Sequence, residues 1–496
     1  MLFSPIYSEH PFFMAVEETL KGKAARGLFW GGLSTMGQQV MSLFFGILLA
    51  RLLSPEDYGL FNMLIIFTSL AALLQDSGFT IALVNKKNAT DADYNSVFWF
   101  SCFVGLILYA IGFVSAPYIA AFYHSPELEP AARIMFLWFV FGCTCTVHNA
   151  VIIKHLMIKE RAKADLISFV VSCIIGVILA FNGAGFWALI IQMLSQGVIN
   201  CILRWYYSPW RPSLSFNISP LKEFFPFSMK ILITGLFNVA NNNIFSIILG
   251  RFYSKALTGY YAQGYKWGYI AYSVIWGMVN NVSQPVLAEV ANDPERQNQV
   301  FRKLIRFVSY VTFPTMLGLA FVAPEFISVT VTDKWAESVP YMQLFCLWGI
   351  ITPINNLCTN TIISKGKSNI FMYGTIVLDI VQLSVIYLTA GYGLINMVIS
   401  FIIVNLCWFF VWFYFVNRMI GTGLLTLLFR DILPFFAISA VSIAIAWFVT
   451  SGISNIYLLL TTKIVTVAAC YIITLYLCKS VLLAETIQYL RKIFKK

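Results

Sequence analysis

Ile47-Leu48-Leu49-Ala50-Arg51-Leu52-Leu53-Ser54-Pro55-Glu56-Asp57-Tyr58-Gly59-Leu60-Phe61 returns 200 positions later as Ile247-Ile248-Leu249-Gly250-Arg251-Phe252-Tyr253-Ser254-Lys255-Ala256-Leu257-Thr258-Gly259-Tyr260-Tyr261. In each copy an apolar run ends in Arg, Ser follows three residues on and Gly five after that, with no gap between matched positions. A register kept over that distance points to a duplicated unit. The apolar run entering each copy points to a membrane as its solvent.

Composition agrees. Of 496 residues, 59% are hydrophobic and only 11% charged, against about 25% charged in a soluble domain. The ten cysteines are scattered through apolar segments. The closest pair, Cys143 and Cys145, lacks metal-binding or CxxC spacing, so the cysteines read as small packing residues.

A bilayer core of about 30 Å takes ~20 apolar residues as helix. Fourteen stretches qualify: 27–50, 59–84, 95–117, 132–153, 166–182, 186–203, 228–250, 261–287, 304–323, 340–363, 370–390, 394–416, 434–451 and 456–478. With the N-terminus inside, 26 of the 33 basic residues fall on the cytoplasmic side. The outer side keeps Arg51, Arg133, Arg251, Lys255, Lys266, Lys334 and Lys463. This bias sets count and orientation, with both termini cytoplasmic. It also accounts for the excess of 33 basic over 22 acidic residues without nucleic acid.

The fold class expected is an all-α integral membrane protein of 14 transmembrane helices. Two six-helix lobes, 27–203 and 228–416, are related by a pseudo-two-fold along the membrane normal, because an even number of spans returns the chain to the same side. Further echoes support the pairing. Asn95-Ser-Val97-Phe98 after the second span matches Asn298-Gln-Val300-Phe301 after the eighth. Gly183-Ala-Gly185 and Gly391-Tyr-Gly393 sit at matching hairpins, where glycine permits the tight reversal. The remaining parts are a cytoplasmic segment 1–26, a Pro- and aromatic-rich linker 204–227 along the inner interface, a connector 417–433, an extra helix pair 434–478 and a basic tail 479–496. Residues 1–13 lack the pattern of a signal peptide, and Met14 is the expected translation start.

Catalysis finds little support. His10, His124, His148 and His155 have no ligand spacing, and no phosphate loop or acidic outer loop appears. Neither a metal nor a cofactor is expected. Polar groups inside the spans are more informative, since each needs a partner or a cavity. Gln38, Gln39 and Ser42 lie in the first span and Asn238, Asn241, Asn242 and Asn243 in the seventh. Gln38/Ser42 and Asn238/Asn242 are i,i+4 pairs at equivalent repeat positions. They read as amides lining a hydrated cavity for sugar hydroxyls or phosphate oxygens. Interhelical glue is the alternative, and four amides in one helix exceed what glue requires. Gln75 and Asp76 precede Ser77-Gly78 deep in the second span. Asp76 is open between cation coupling, cavity polarity and a local cap. Asp379 in the eleventh span is a second ion-coupling candidate. Lys154 and Lys230 stand where a diphosphate would need cations, or are ordinary positive-inside residues. His148 and Asn149 are open between cavity lining and core. Arg51 and Arg251 read as snorkelling residues that cap helix ends.

Several motifs resemble the Wzx-type polysaccharide transporters of the multidrug/oligosaccharidyl-lipid/polysaccharide (MOP) flippase superfamily, nearest its colanic- and teichuronic-acid exporter branch. They are Ala50-Arg51-Leu52-Leu53 through Tyr58-Gly59-Leu60, Asp76-Ser-Gly78-Phe79, Leu156 to Glu160, Gly250-Arg251 through Gly259-Tyr260, Lys334-Trp335 through Gly349, and Ser364-Lys-Gly-Lys367. The resemblance covers about residues 20–480. It implies two six-helix lobes in a V, a helix pair forming a lipid-facing groove, and flipping of undecaprenyl-diphosphate-linked oligosaccharide across the bacterial inner membrane. Its partners would be that substrate, membrane lipids, and the polymerase and glycosyltransferases of the same pathway. A monomer that binds no nucleic acid is expected. Many relatives carry an acid in the seventh span where this chain has Asn243, which puts ion coupling there in doubt. The alternatives are an ion-coupled multidrug exporter of the same superfamily or, behind it, a polysaccharide polymerase or ligase.

Overall fold

The computed structural model describes residues 20–75, 78–480, 482–485 and 488. The described residues are almost entirely helical. The long elements are α1 (Leu20–Leu52), α2 (Pro55–Gln75), α3 (Gly78–Asn85), α4 (Asp91–Phe122), α5 (Leu128–Met135), α6 (Leu137–Lys154), α7 (Ile158–Phe181) and α8 (Trp187–Tyr207). They continue as α9 (Ile218–Phe252), α10 (Lys255–Glu289), α11 (Pro294–Val331), α12 (Val339–Ser364), α13 (Ser368–Thr389) and α14 (Leu394–Ile420). A single turn, α15 (Leu424–Thr426), runs through a wide turn at Leu427–Ile432 into α16 (Leu433–Thr450), and α17 (Ile456–Leu477) follows. Among the described residues, ten helices are long and apolar enough to cross a membrane. Large apolar side chains such as Val114, Phe181, Leu388, Phe448 and Leu477 are mostly exposed. Water would not tolerate so much apolar surface, whereas lipid does.

The helix boundaries follow from local chemistry. Thr90 and Asp93 form a reciprocal capping box that starts α4. Asp293 caps α11 with Pro294 in its first turn. Asn455 caps α17 through the amides of Tyr457 and Leu458. Gly183, Gly185 and Gly393 take positive φ at the expected hairpins.

Contacts divide the chain into two compact units. One comprises the chain up to Leu49 with Phe67–Val239; the other comprises Ala50–Ile66 with everything from Ala240 onward. The first is built around Phe79, Leu83, Val97, Phe98, Val147, Val151 and Phe224. In it the Cys145 and Cys201 sulfurs meet, with Cα atoms 5.7 Å apart, a pairing that the reading of all ten cysteines as packing residues did not foresee. The second unit is built around Phe245, Leu249, Tyr261, Phe345, Ile386 and Met397. There α16 and α17 pack on α11. The Lys463 Nζ to Glu325 Oε1 ion pair at 2.7 Å and the bond from the Tyr471 hydroxyl to Tyr310 O at 2.8 Å fasten α17 to α11.

Candidate functional site

The duplicated stretch is a helix–cap–helix junction. Arg51 and Arg251 close α1 and α9. Ser54 Oγ accepts from Asp57 N at 3.2 Å, and Asp57 Oδ2 accepts back from Ser54 N at 2.8 Å. Ser254 Oγ accepts likewise from Leu257 N at 3.2 Å. The repeated serine is therefore the N-cap of α2 and of α10.

The repeated glycine has a reciprocal partner. A Cβ on Gly59 would lie 1.9 Å from Lys255 O, and a Cβ on Gly259 would lie 1.8 Å from Pro55 O. Positions 55 and 255, and 59 and 259, are equivalent in the repeat, so this is where the two copies meet. The contact lies inside the second unit, and three bonding groups reinforce it. Arg51 donates from Nε to Thr330 O at 2.6 Å and from Nη2 to Val329 O at 2.7 Å. Lys334 Nζ donates to the carbonyls of Arg51 and Leu53, each at 2.7 Å. Trp335 Nε1 donates to Ala50 O at 2.7 Å, and its ring meets Tyr58 edge-on. Arg51 thus caps a helix C-terminus as expected, but that of α11. Burial lowers the Lys334 pKa below the usual lysine value, and Asp57 opposes the shift.

The predicted polar groups divide. Gln38 Nε2 donates to Ser34 Oγ at 3.1 Å; Gln39 and Ser42 are half-buried. Asp76 lies outside the described residues, and the side chains of Gln75, Lys230, Asn238, Asn241 and Asn242 lie outside the described side chains. Asn243 and Asp379 are half-buried on α9 and α13. Lys154 donates from Nζ to Lys86 O at 2.7 Å and to Leu83 O at 3.3 Å, closing the end of α3. Beside it Lys86 bridges Asp93 at 3.0 Å and Glu223 at 2.9 Å. The hydrogen bond that Lys86 donates to Glu223 raises the Lys86 pKa. His148 and Asn149 are buried. The His148 ring lies 4.3 Å from that of Trp205 and 5.4 Å from that of Trp210. The segment carrying Trp210 is pinned to α4 by Ser213 N donating to Asn95 Oδ1 at 2.7 Å and by Trp99 Nε1 donating to Ser213 O at 2.8 Å.

Sequence reasoning passed over a polar surface in the second unit. Tyr269, Ser273, Trp276 and Asn280 follow at spacings of four, three and four, on one face of α10. Tyr269 and Trp276 are well exposed. Val274, Met278 and Val282, also exposed, lie on the opposite face. Between the two, Tyr272, Ile275 and Val279 are buried. One flank of α10 therefore suits lipid, and the other is aromatic and amide-bearing. An amide cluster adjoins it. Asn360 Nδ2 donates to Ser283 Oγ at 2.7 Å and to Asn356 Oδ1 at 2.8 Å, with Asn280 Oδ1 at 3.4 Å. The helical spacing of Tyr265, Tyr269 and Tyr272, and of Asn356 and Asn360, was the available signal.

Residues 48–340 match the family described as polysaccharide biosynthesis protein. The chain belongs to that family. This family member is 26% identical over 401 residues to the teichuronic acid biosynthesis protein TuaB of Bacillus subtilis (strain 168), covering 80% of this chain and 81% of that one. It is 22% identical over 359 residues to the lipopolysaccharide biosynthesis protein WzxC of Escherichia coli (strain K12), covering 71% and 72%. Among solved structures, the lipid II flippase MurJ in an inward closed conformation shares its fold, with a TM-score of 0.74 at 15% identity over 91% of this chain and 99% of that one. An inward-facing MATE-family multidrug transporter of the MOP superfamily aligns with a TM-score of 0.62 at 14% identity, over 78% and 96%. The polysaccharide biosynthesis family member is thus a multi-span helical membrane protein that shares its fold with these two transporters.

Proposed function

We propose that the protein is a flippase. It moves undecaprenyl-diphosphate-linked oligosaccharide from the inner to the outer leaflet of the bacterial cytoplasmic membrane, by alternating access, for surface polysaccharide biosynthesis. The relatives' names and the shared fold support this reading. The observation that carries it is the two-flanked α10. Such a substrate has a hydrated, charged head and a hydrocarbon tail, and pulling the head through lipid would strip every polar group of its water. Tyr269, Trp276 and Asn280, on one face over about 17 Å of helix, offer rings and amides to sugars while Val274, Met278 and Val282 stay in lipid.

The architecture proposed with it has fourteen spans: the ten apolar ones together with α1, α9, α10 and α12. These make six-helix lobes at 27–203 and 228–416, and both termini are cytoplasmic. Gln38, Ser42, Asn238 and Asn242 are proposed to line the cavity. The protein acts as a transporter and not as an enzyme in this reading.

The test is surface polysaccharide in a deletion strain complemented with Tyr269→Ala/Trp276→Ala. Export should fall at least tenfold with the protein inserted at normal level; unchanged export removes the α10 face from the path. The MATE likeness favours a second reading, ion-coupled drug export. Reconstituted vesicles offered lipid-linked sugar or a cationic dye separate the two.

A further inference from the structure

At the inner end of α11, Asn298, Gln299, Arg302, Lys303, Arg306 and Glu485 line a cavity of about 350 Å³. Its depth follows from helix geometry. At 1.5 Å per residue, Arg306 lies about 38 Å from Val331 at the outer end of α11. The hydrocarbon core is about 30 Å thick and the headgroup layers bring the bilayer to 40–45 Å. With Thr330 and Lys334 at the outer interface, Arg302 and Arg306 fall among the inner-leaflet headgroups.

The two arginines are i,i+4 neighbours on one face, and a single carboxylate organises them. Asp431, whose side chain is fully buried, accepts from Arg302 Nε at 2.7 Å and Nη2 at 3.2 Å, and from Arg306 Nε. Each guanidinium carries five N–H groups, so Asp431 engages two of Arg302 and one of Arg306. Lys303 pairs with Glu485 at 3.0 Å. Three cations face two carboxylates, which leaves one positive charge over. Two planar forks held by a buried acid, beside a third cation, suit a phosphate better than a carboxylate-free apolar ligand. Anchoring of the wide turn before α16 to α11 accounts for Asp431 and one arginine. It does not account for the second arginine, the lysine and the open volume between them.

We propose that this cavity binds the phosphate of an inner-leaflet lipid, at the point where the C-terminal helix pair leaves α11. The site stands apart from the transport reading, since its readout is binding. Two lipids carry the chemistry: an anionic glycerophospholipid and a polyprenyl phosphate.

The experiment uses the full chain, purified and delipidated, then exposed to vesicles of phosphatidylcholine alone or with phosphatidylglycerol or undecaprenyl phosphate, and read by native mass spectrometry. Wild type should retain one anionic lipid at least tenfold above phosphatidylcholine. Arg306→Gln should lose that preference. Because Arg306→Gln also removes a partner of Asp431, Lys303→Gln/Gln299→Leu serves as a second variant that leaves Asp431 untouched; it should lose at least threefold. Loss confined to the phosphatidylglycerol arm assigns the site to a resident phospholipid, and loss confined to the undecaprenyl arm assigns it to the carrier lipid. Equal retention by wild type and both variants in both arms overturns the proposal.

Discussion

The reciprocal glycine contact makes a sharp quantitative prediction. In Gly59→Ala the new methyl would sit 1.9 Å from Lys255 O, and in Gly259→Ala 1.8 Å from Pro55 O. Even a close C···O contact is about 3.3 Å, so either substitution must push the starts of α2 and α10 apart by about 1.4 Å. The obstacle is backbone, which no rotamer change can clear. Overpacking of this kind costs about 1–3 kcal/mol. The same separation would strain the bonds of Trp335 to Ala50 O and of Lys334 to Arg51 O. Because both glycines report on one approach, the first alanine opens the gap that the second needs. The double variant should therefore cost about as much as the worse single, with a coupling term nearly equal to one single effect. Thermal unfolding of the three purified variants in one detergent measures this, with surface polysaccharide as the functional readout. Strict additivity, or singles indistinguishable from wild type, would refute the reasoning, because it would mean that the two helix ends do not meet through these residues.

Two further predictions concern polar groups in the spans. Lys463→Ala should destabilise the protein by about 3–5 kcal/mol, because it strands the buried Glu325 carboxylate; Lys463→Met with Glu325→Leu should recover most of that, as read by thermal unfolding. Asn238→Leu/Asn242→Leu should abolish glycan export while the protein inserts normally, and normal surface polysaccharide in that variant would remove both from the site.

The letters of the duplicated stretch were legible before their meanings were. Register and turn glycines depend on neighbours in sequence, so Gly183 and Gly393 could be read in place. Residues whose roles depend on distant partners could not. Arg51 was expected at a helix end, yet its carbonyls belong to α11, 278 and 279 positions on. Asp431 and Arg302 are 129 positions apart, and no periodicity joins them. Lys154 fitted a phosphate ligand as well as a structural cation, and only the carbonyls of Leu83 and Lys86 show what it holds. The α10 face was missed for a different reason. Tyrosines at helical spacing usually mark a core, and here Tyr261 and Tyr272 are buried while Tyr269 is not. The pattern of residue types is the same in both cases, and only exposure separates packing from a path. That distinction also bears on the repeat. At the 200-position offset that aligns the two junctions, Ser69 stands opposite Tyr269 and Thr80 opposite Asn280, so the serine and glycine letters recur where the α10 face does not. Under the proposed flippase reading, an asymmetric substrate, sugar at one end and diphosphate at the other, would favour two stretches that share a junction and differ on that face.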